Sequence, residues 1–322
     1  MKQLNWAILG TGTIASEFAT QFAAEEAVLY GVASRTHTKA TDFASKYDIP
    51  HTYDSYKAAL ADEAIDVIYV AVPHSHHYQL IKESLQAGKH VLCEKVITVN
   101  GAQLTEVKTL AEEKGLYLSE AMTIYNMPLY KKLTEWISSN DLGPLKMIQA
   151  SFGSFKEEDP SLYFFNKDLA GGALFDIGTY ALSFVRQFLT SKPTEVKTMG
   201  NLHQSGVDET SAIIMRNAEN EMATVSLTFR AKMPKQGVVA FEKGFLTITD
   251  YPRASEARFT SNEGQEQVIQ AGDSKQALNY EIANFTQMIL NKEQNHTLEK
   301  TVDVLEIMDE VRKEWGLTYP FE

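Results

Sequence analysis

The chain is poor in cysteine, in basic residues and in long apolar runs. Cys93 is the only cysteine, so no intrachain disulfide can form, which fits a reducing compartment. Lysine and arginine number 30 against 42 acidic residues, a formal net charge of −12. A balance that acidic argues against nucleic acid or an anionic membrane surface as a partner, while leaving room for a local basic pocket. No apolar run approaches the ~20 residues that cross a bilayer. The first strand begins within a few residues of Met1, so no secretory leader is expected. A cytoplasmic protein is expected. Internal repeats and low-complexity segments are absent as well.

What is present suits a soluble globular protein of two domains. The 322 residues are 44% hydrophobic and 22% charged, enough for full cores. The stretch Trp6-Ala7-Ile8-Leu9-Gly10-Thr11-Gly12-Thr13-Ile14-Ala15 reads as a buried strand, a glycine turn and the start of a helix. Its spacing fits G-x-G-x-x-[GA], and each position has a physical task. Gly10 permits the tight turn. Gly12 lets a pyrophosphate approach the backbone, and Ala15 lets helix and strand pack closely. Thr13 and Ile14 begin the helix, whose free N–H groups and partial positive charge favour phosphates. A plain structural turn is the alternative, but alternating strands and helices follow, so a dinucleotide site is expected.

The second strand, residues 28–33, ends at Ser34-Arg35. An acid about 20 residues past the glycines would bind the ribose 2′-hydroxyl of NAD. Here Ser34, Arg35, His37 and Lys39 follow instead, and a cation can pair with the 2′-phosphate of NADP. NADP is the expected cofactor, with NAD possible. The clearest buried strand, residues 65–72, stops at Val72-Pro73 and is followed by His74-Ser75-His76-His77. No carboxylate or cysteine stands at ligand spacing, so no metal site is expected there. A loop at the carboxyl end of such a strand is where ligands bind, so His74 and His77 are expected at cofactor or substrate, with a merely capped helix start as the alternative. A further strand carries Glu94 and Lys95 at its carboxyl end. Glu94 would lie at the cofactor, and Lys95 is a candidate acid/base or electrostatic group, with a plain ion pair as the alternative.

The pattern changes past residue 122. Residues 1–122 are expected to form a doubly wound parallel dinucleotide-binding domain. Residues 123–322 are expected to form a substrate-binding and oligomerisation domain with an open, mostly antiparallel sheet. Strands are expected at 146–155, 196–202, 210–215, 222–230, 237–241 and 245–249. The run from Met222 to Arg230 alternates strictly, as a half-buried antiparallel strand does. Two closing helices carry apolar stripes, Leu278, Ile282, Phe285, Ile289 and Val304, Met308, Val311, Trp315, expected on one side of that sheet. Between the strands, Gly171-Gly172 opens a helix expected over 174–189, with Asp176, Tyr180, Ser183 and Gln187 on a shared polar face. A carboxylate and a phenol so placed could meet a polyhydroxy substrate. The residues alone leave a surface helix with an i,i+4 hydrogen bond equally open.

Taken together, Gly10-Thr11-Gly12, Val72-Pro73-His74 with His77, the run from Ala87 to Lys95 and the run from Gly171 to Tyr180 resemble the Gfo/Idh/MocA family of oxidoreductases over essentially the whole chain. The resemblance implies a Rossmann domain, a C-terminal α/β domain whose open sheet often forms the subunit interface, and NAD(P)-dependent chemistry on sugars, polyols or diols. It therefore implies a homodimer or higher homo-oligomer. Tyr180 stands where many members carry histidine and is similar to the glucose–fructose oxidoreductase and dimeric dihydrodiol dehydrogenase branch, whose members use NADP. In that branch the matching lysine and tyrosine are the catalytic pair and the matching aspartate contacts substrate, which here implies Lys95, Tyr180 and Asp176. The chain departs from the family at Val96, where proline is usual, at His74, where asparagine is usual, and at Tyr125, where many members have arginine. An NAD-dependent glycosidase of the same family and a non-catalytic cofactor sensor are the alternative readings.

Overall fold

The computed structural model describes residues 3–159 and 162–322. The chain divides into two compact units. One runs through Met122 and is rejoined by Gln276–Glu299, and the other comprises Thr123–Lys275 and Lys300–Glu322.

In the first unit, short apolar runs form β1 (Leu4–Leu9), β2 (Ala27–Ala33), β3 (His51–Tyr53), β4 (Val67–Val70), β5 (His90–Glu94) and β6 (Leu118–Ala121). They alternate with α1 (Thr13–Gln21), α2 (His37–Tyr47), α3 (Tyr56–Ala61), α4 (His77–Gln86) and α5 (Gly101–Lys114). Every strand pair is parallel, in the order β3-β2-β1-β4-β5-β6. Helices cover both faces of such a sheet, so its strands read as continuous apolar runs: all of β4 is buried, and Asn5 alone is partly open in β1. The strand order reverses at β1 and β4. The carboxyl ends of those two strands therefore part and open a crevice. Local chemistry starts and stops the helices as expected. Ser55 and Asn100 cap α3 and α5 by accepting the backbone N–H of Ala58 (3.1 Å) and Gln103 (2.9 Å). Gly115, at φ +64°, ends α5.

The second unit contains α6 (Thr123–Asn126), α7 (Pro128–Ser139), β7 (Leu145–Gly153), α8 (Thr179–Phe188), β8 (Pro193–Leu202), β9 (Asp208–Asn217), β10 (Met222–Thr228), β11 (Met233–Phe241), β12 (Gly244–Thr249), β13 (Glu256–Ser261) and β14 (Glu266–Gln270). The eight strands run β14-β13-β12-β11-β7-β10-β9-β8, and α8 lies against β7, β10 and β11. Alternation places Ala223, Val225 and Leu227 of β10 in the core, as expected. The strand's pairing corrects the expectation in part: β10 is antiparallel to β9 but parallel to β7. β13 and β14 were not expected at all. Their reason is composition, since Ile269 is the one buried residue of β14 and the rest is polar or exposed.

Two helices close the chain, α9 (Ala277–Asn291) and α10 (Thr297–Trp315). Leu278, Ile282 and Phe285 of α9 are buried, as their spacing requires, but in the core of the first unit. There the Phe285 ring meets the edge of Trp6 at 5.8 Å, and Trp6 also meets Phe18 at 6.0 Å. The helix was expected on the second sheet. A 3.6-residue stripe identifies a face that must be covered and is silent about which core covers it.

Candidate active site

In the first unit, β1 ends at Gly10, whose φ is +114°. A Cβ there would stand 2.2 Å from the Ala71 carbonyl oxygen, so only glycine fits where the ends of β1 and β4 meet. Gly12 begins α1 without a side-chain cap, and the space where its Cβ would lie is open. The first-turn N–H groups of Thr13 and Ile14 thus face an approach free of side chains. Ala15 is fully buried against the sheet. Gly10 and Gly12 border a cleft of about 820 Å³, also lined by Ser16, Ser34, Arg35, Val72 and Pro73, whereas Thr13, Ile14, His74 and Glu94 are not among its lining residues. Ser34 is buried and accepts a hydrogen bond from the Thr11 hydroxyl at 3.4 Å, while Arg35 is exposed. Lys39 and Lys46 line the same cleft, with Asp42 between them in sequence. His37 does not line it. Its Nδ1 lies 2.8 Å from the Asp54 carboxylate, on the solvent side of α2.

The histidine loop divides its members. His76 lines the cleft, and His74 is buried with its ring 5.6 Å from that of His77. His77 is fully buried and stands between two backbone carbonyls, Nδ1 to Val96 and Nε2 to Val72, each at 2.8 Å. Burial pushes its pKa down to about 4, against the pull of the two carbonyls, so the ring is neutral. A neutral imidazole donates one hydrogen bond. His77 therefore donates to only one of the two carbonyls, its other ring nitrogen facing the second between the turns after β4 and β5, and it is not among the residues lining the cleft. Among the described residues no group of His, Cys, Asp and Glu could hold a metal ion.

The turn after β5 is built on buried acids. Tyr69, stacked on Phe18 at 3.7 Å, donates to Glu94 Oε1, and Glu94 Oε2 accepts the Lys95 backbone N–H at 3.2 Å. Glu120 accepts the Ile97 N–H at 3.1 Å. Lys95 is half-buried and is joined to Val96 by a cis peptide bond. The sequence marks Glu94 and Lys95, but not Tyr69 or Glu120. A lone hydroxyl in an otherwise apolar strand and an acid at a strand end were the available signals.

In the second unit, the glycine turn at 171–172 is packed against backbone. A Cβ on Gly171 would lie 2.2 Å from the Tyr163 carbonyl oxygen, and Gly172 has φ +121°. The expected single helix over 174–189 begins differently: Leu174–Gly178 is a π-turn that leads into α8. Such wide turns often mark functional positions. The polar face expected on this helix is not continuous. Asp176 and Ser183 are buried, and only Tyr180 and Gln187 are partly exposed. The Tyr163 hydroxyl donates to Asp176 Oδ1 at 2.5 Å, and Gln187 accepts from Lys300 Nζ at 2.8 Å. Tyr180 is the one position of residues 171–180 that is not buried, and its ring lies 6.3 Å from that of Phe152. The segment is anchored by Asp208, a fully buried acid that opens β9 and accepts the Leu174 N–H at 2.7 Å. Neither Tyr163 nor Asp208 was expected, because both reach the segment from distant parts of the sequence.

Residues 4–122 match a family described as an oxidoreductase family with an NAD-binding Rossmann fold, and residues 130–247 match the Gfo/Idh/MocA C-terminal domain. A trans-1,2-dihydrobenzene-1,2-diol dehydrogenase from Xenopus laevis is 32% identical over 330 residues, covering 98% of this chain and 99% of the relative. The chain belongs to the Gfo/Idh/MocA family of oxidoreductases. The mouse (Mus musculus) enzyme of the same name is 29% identical, with 98% of each chain covered. Two solved structures share the fold. A levoglucosan dehydrogenase in complex with NADH and levoglucosan has a TM-score of 0.88 at 17% identity, covering 98% of both chains. A 3-ketoreductase from Actinomadura kijaniata, in complex with NADP and TDP-benzene, has a TM-score of 0.85 at 21% identity, covering 97% of this chain and 98% of its own. The protein is accordingly an NAD(P)-dependent oxidoreductase of this family, and among the described residues no helix is long and apolar enough to cross a membrane.

The Asp208 anchor has a consequence for stability. Burial raises its pKa from 3.8 to about 7, outweighing the N–H groups of Leu174 and Ala173 and the charge of Arg312. Between those two values the folded protein keeps a proton that the unfolded chain has released, so stability falls as pH rises through that window and is level above it. Asp208→Asn cannot titrate. Its stability relative to wild type should therefore rise between pH 4.5 and 7 in denaturant titrations, and a difference that stayed constant with pH would contradict the assignment.

Proposed function

We propose that this oxidoreductase prefers NADP and transfers a hydride between the nicotinamide and a carbon bearing one of two neighbouring hydroxyls, in a small cyclic diol or sugar-like molecule. Tyr180 carries the reading, as the one position of residues 171–180 that is not buried, four residues after the buried carboxylate of Asp176. The names of the diol dehydrogenases that match over nearly the whole chain support the substrate class.

The cleft suits the cofactor. Gly10, Gly12 and the amides of Thr13 and Ile14 would hold the pyrophosphate, and Ser34 and Arg35 the adenosine end. Val72, Pro73 and Glu94 would border the nicotinamide, and His74 and His77 would support that wall from behind. His37 contributes less, since it is occupied with Asp54. When bound, the nicotinamide accepts or supplies the hydride. The chain's own residues manage the proton. In the oxidative direction a substrate C–H leaves as hydride, the O–H proton passes to Tyr180, and a carbonyl forms. A free phenol titrates near ~10, and a neighbouring ammonium favours its ionised form. Lys95 is the cation proposed for that purpose. Asp176, oriented by Tyr163, would hold the adjacent hydroxyl.

The sheet of the second unit supports self-association. Met199, Ile214, Met222, Phe245 and Val268 are each 39–79% exposed. By strand alternation all five point away from the face that α8 covers. The same face carries the Arg216–Glu195 and Arg258–Glu266 ion pairs, and a mixed face of that kind fits a homodimer. Light scattering at micromolar concentration should return a mass above that of one 36.0 kDa chain, and a monomer would remove the idea.

Two substitutions test the chemistry. Losing a charge-assisted contact costs ~1.5–3 kcal/mol, about ten- to a hundredfold in affinity. Arg35→Asp should weaken NADP binding by that factor and spare NAD. Equal affinity of the wild type for both cofactors would count against the preference. General acid–base groups contribute ~10²–10⁴ in rate. Tyr180→Phe should lower kcat by that order on the best substrate from a diol and sugar panel, followed by nicotinamide absorbance, while cofactor affinity persists. Near-full kcat would move the proton transfer to another group.

A further inference from the structure

After α10 the chain turns at Leu317, whose N–H bonds the Arg312 carbonyl at 2.9 Å, and runs back onto the segment that carries Asp176 and Tyr180. Tyr319 is buried, and its hydroxyl donates to the Gly171 carbonyl at 2.8 Å. Its ring stacks on Phe175, the neighbour of Asp176, at 5.3 Å and 25°. The Arg312 guanidinium lies over both rings, 5.3 Å from Phe175 and 5.4 Å from Tyr319. Arg312 is itself fixed by Asp309 at 3.1 Å and Glu322 at 2.7 Å, and Glu322 accepts the Tyr319 N–H at 3.0 Å. Its Nε and Nη1 have no hydrogen-bond partner among the described residues, as expected of a cation spent on ring faces.

These contacts have one target. Gly171 and Phe175 bracket the entry to the π-turn, and Asp208 takes the Leu174 N–H between them. A buried phenol must place its hydroxyl on some acceptor, and here the acceptor is the carbonyl of a glycine that tolerates no Cβ, at the start of the turn. We propose that Tyr319, locked by Arg312, is a positioning residue for the oxidoreductase reaction: it sets the turn that places Asp176 and Tyr180. The assignment of those two to substrate rests on the function proposed above. The positioning itself is a property of the fold and can be read without turnover.

Tyr319→Phe keeps the ring stack and removes only the hydrogen bond to Gly171. Hydrogen exchange at the amides of residues 173–178 should quicken about three- to tenfold, the span of a typical net hydrogen bond, with the strands β9 and β10 unchanged. With a diol or sugar substrate, kcat should fall by a similar factor. NADP affinity, measured by fluorescence titration of the whole protein, should be unaltered, since the cleft belongs to the other unit. Exchange that is unchanged, or that rises equally across β9 and β10, would overturn the proposal, as would faster segment exchange with kcat and KM both at wild-type values. Tyr319→Leu adds loss of the ring stack and should be worse in both readouts; a Leu variant equal to Phe in exchange would refute the contribution of the Arg312-locked stack. If the wild type turned over no diol or sugar with NADP, the proposed substrate would fall while the exchange result still decided the positioning.

Discussion

The site in the first unit depends on how closely two backbones can approach. The Ala71 carbonyl occupies the place of a Cβ on Gly10, and that contact draws the turns after β1 and β4 together at the point where strand order reverses. A side chain at Gly10 would push the turns apart and fill the floor of the cleft. Strand alternation, buried helices and the position of Ser34 and Arg35 at the end of β2 all take their use from that approach. The Gly171 turn in the second unit obeys the same constraint, with the Tyr163 carbonyl in the place of a Cβ.

Both units then hold their irregular backbone with buried polar side chains. Turns at strand ends leave N–H and C=O groups without ladder partners, and burying them unpaired costs free energy. In the first unit His77 stands between the Val72 and Val96 carbonyls and donates to one of them, Glu120 accepts from Ile97, and Tyr69 holds Glu94. In the second unit Asp208 accepts from Leu174 and Tyr319 donates to Gly171. None of these groups has to touch a substrate to matter. Each fixes a peptide next to a residue that is proposed to do so, which is why burial and a titratable side chain coincide here without marking a catalytic group.

The same division explains what could be read from the sequence. Gly10, Gly12, Ala15 and the strand before them have meaning over ten consecutive residues, and local rules decode them. Glu94 and Lys95 are legible because a strand end is a local event. Asp208 and Tyr163 are not, because they act on a segment 34 and 13 residues away in the chain. The parallel pairing of β10 with β7 escaped for the same reason: alternation reports which face is buried and not which neighbour lies alongside. The stripe of α9 was read correctly as core and assigned to the wrong sheet. In β14 the one buried residue is too little for alternation to register. The π-turn fails differently, since Leu174, Phe175 and Ile177 suit an ordinary helix and the wider winding is imposed by partners.

Those partners lie largely along one element. The part of α10 in the second unit meets α8 and its approach at three points: Lys300 reaches Gln187, Asp303 pairs with Arg186 at 2.6 Å, and Arg312 covers Phe175. Rising residue numbers on α10 meet falling numbers on the other segment, so the two run antiparallel. The Arg186–Asp303 pair is shielded on both sides, with side chains 16% and 15% exposed, and is geometrically direct. Exposed ion pairs contribute little, but a shielded pair that loses one partner strands a charge, so such a pair fixes register more than it adds stability. Lys300 has its pKa lowered, chiefly by burial and then by Arg186, and stands over the ring of Tyr125 at 5.6 Å. Tyr125 thus has a cation brought to its ring from α10. Arg186 lies on α8, which follows the π-turn and carries Tyr180, the one position of residues 171–180 that is not buried.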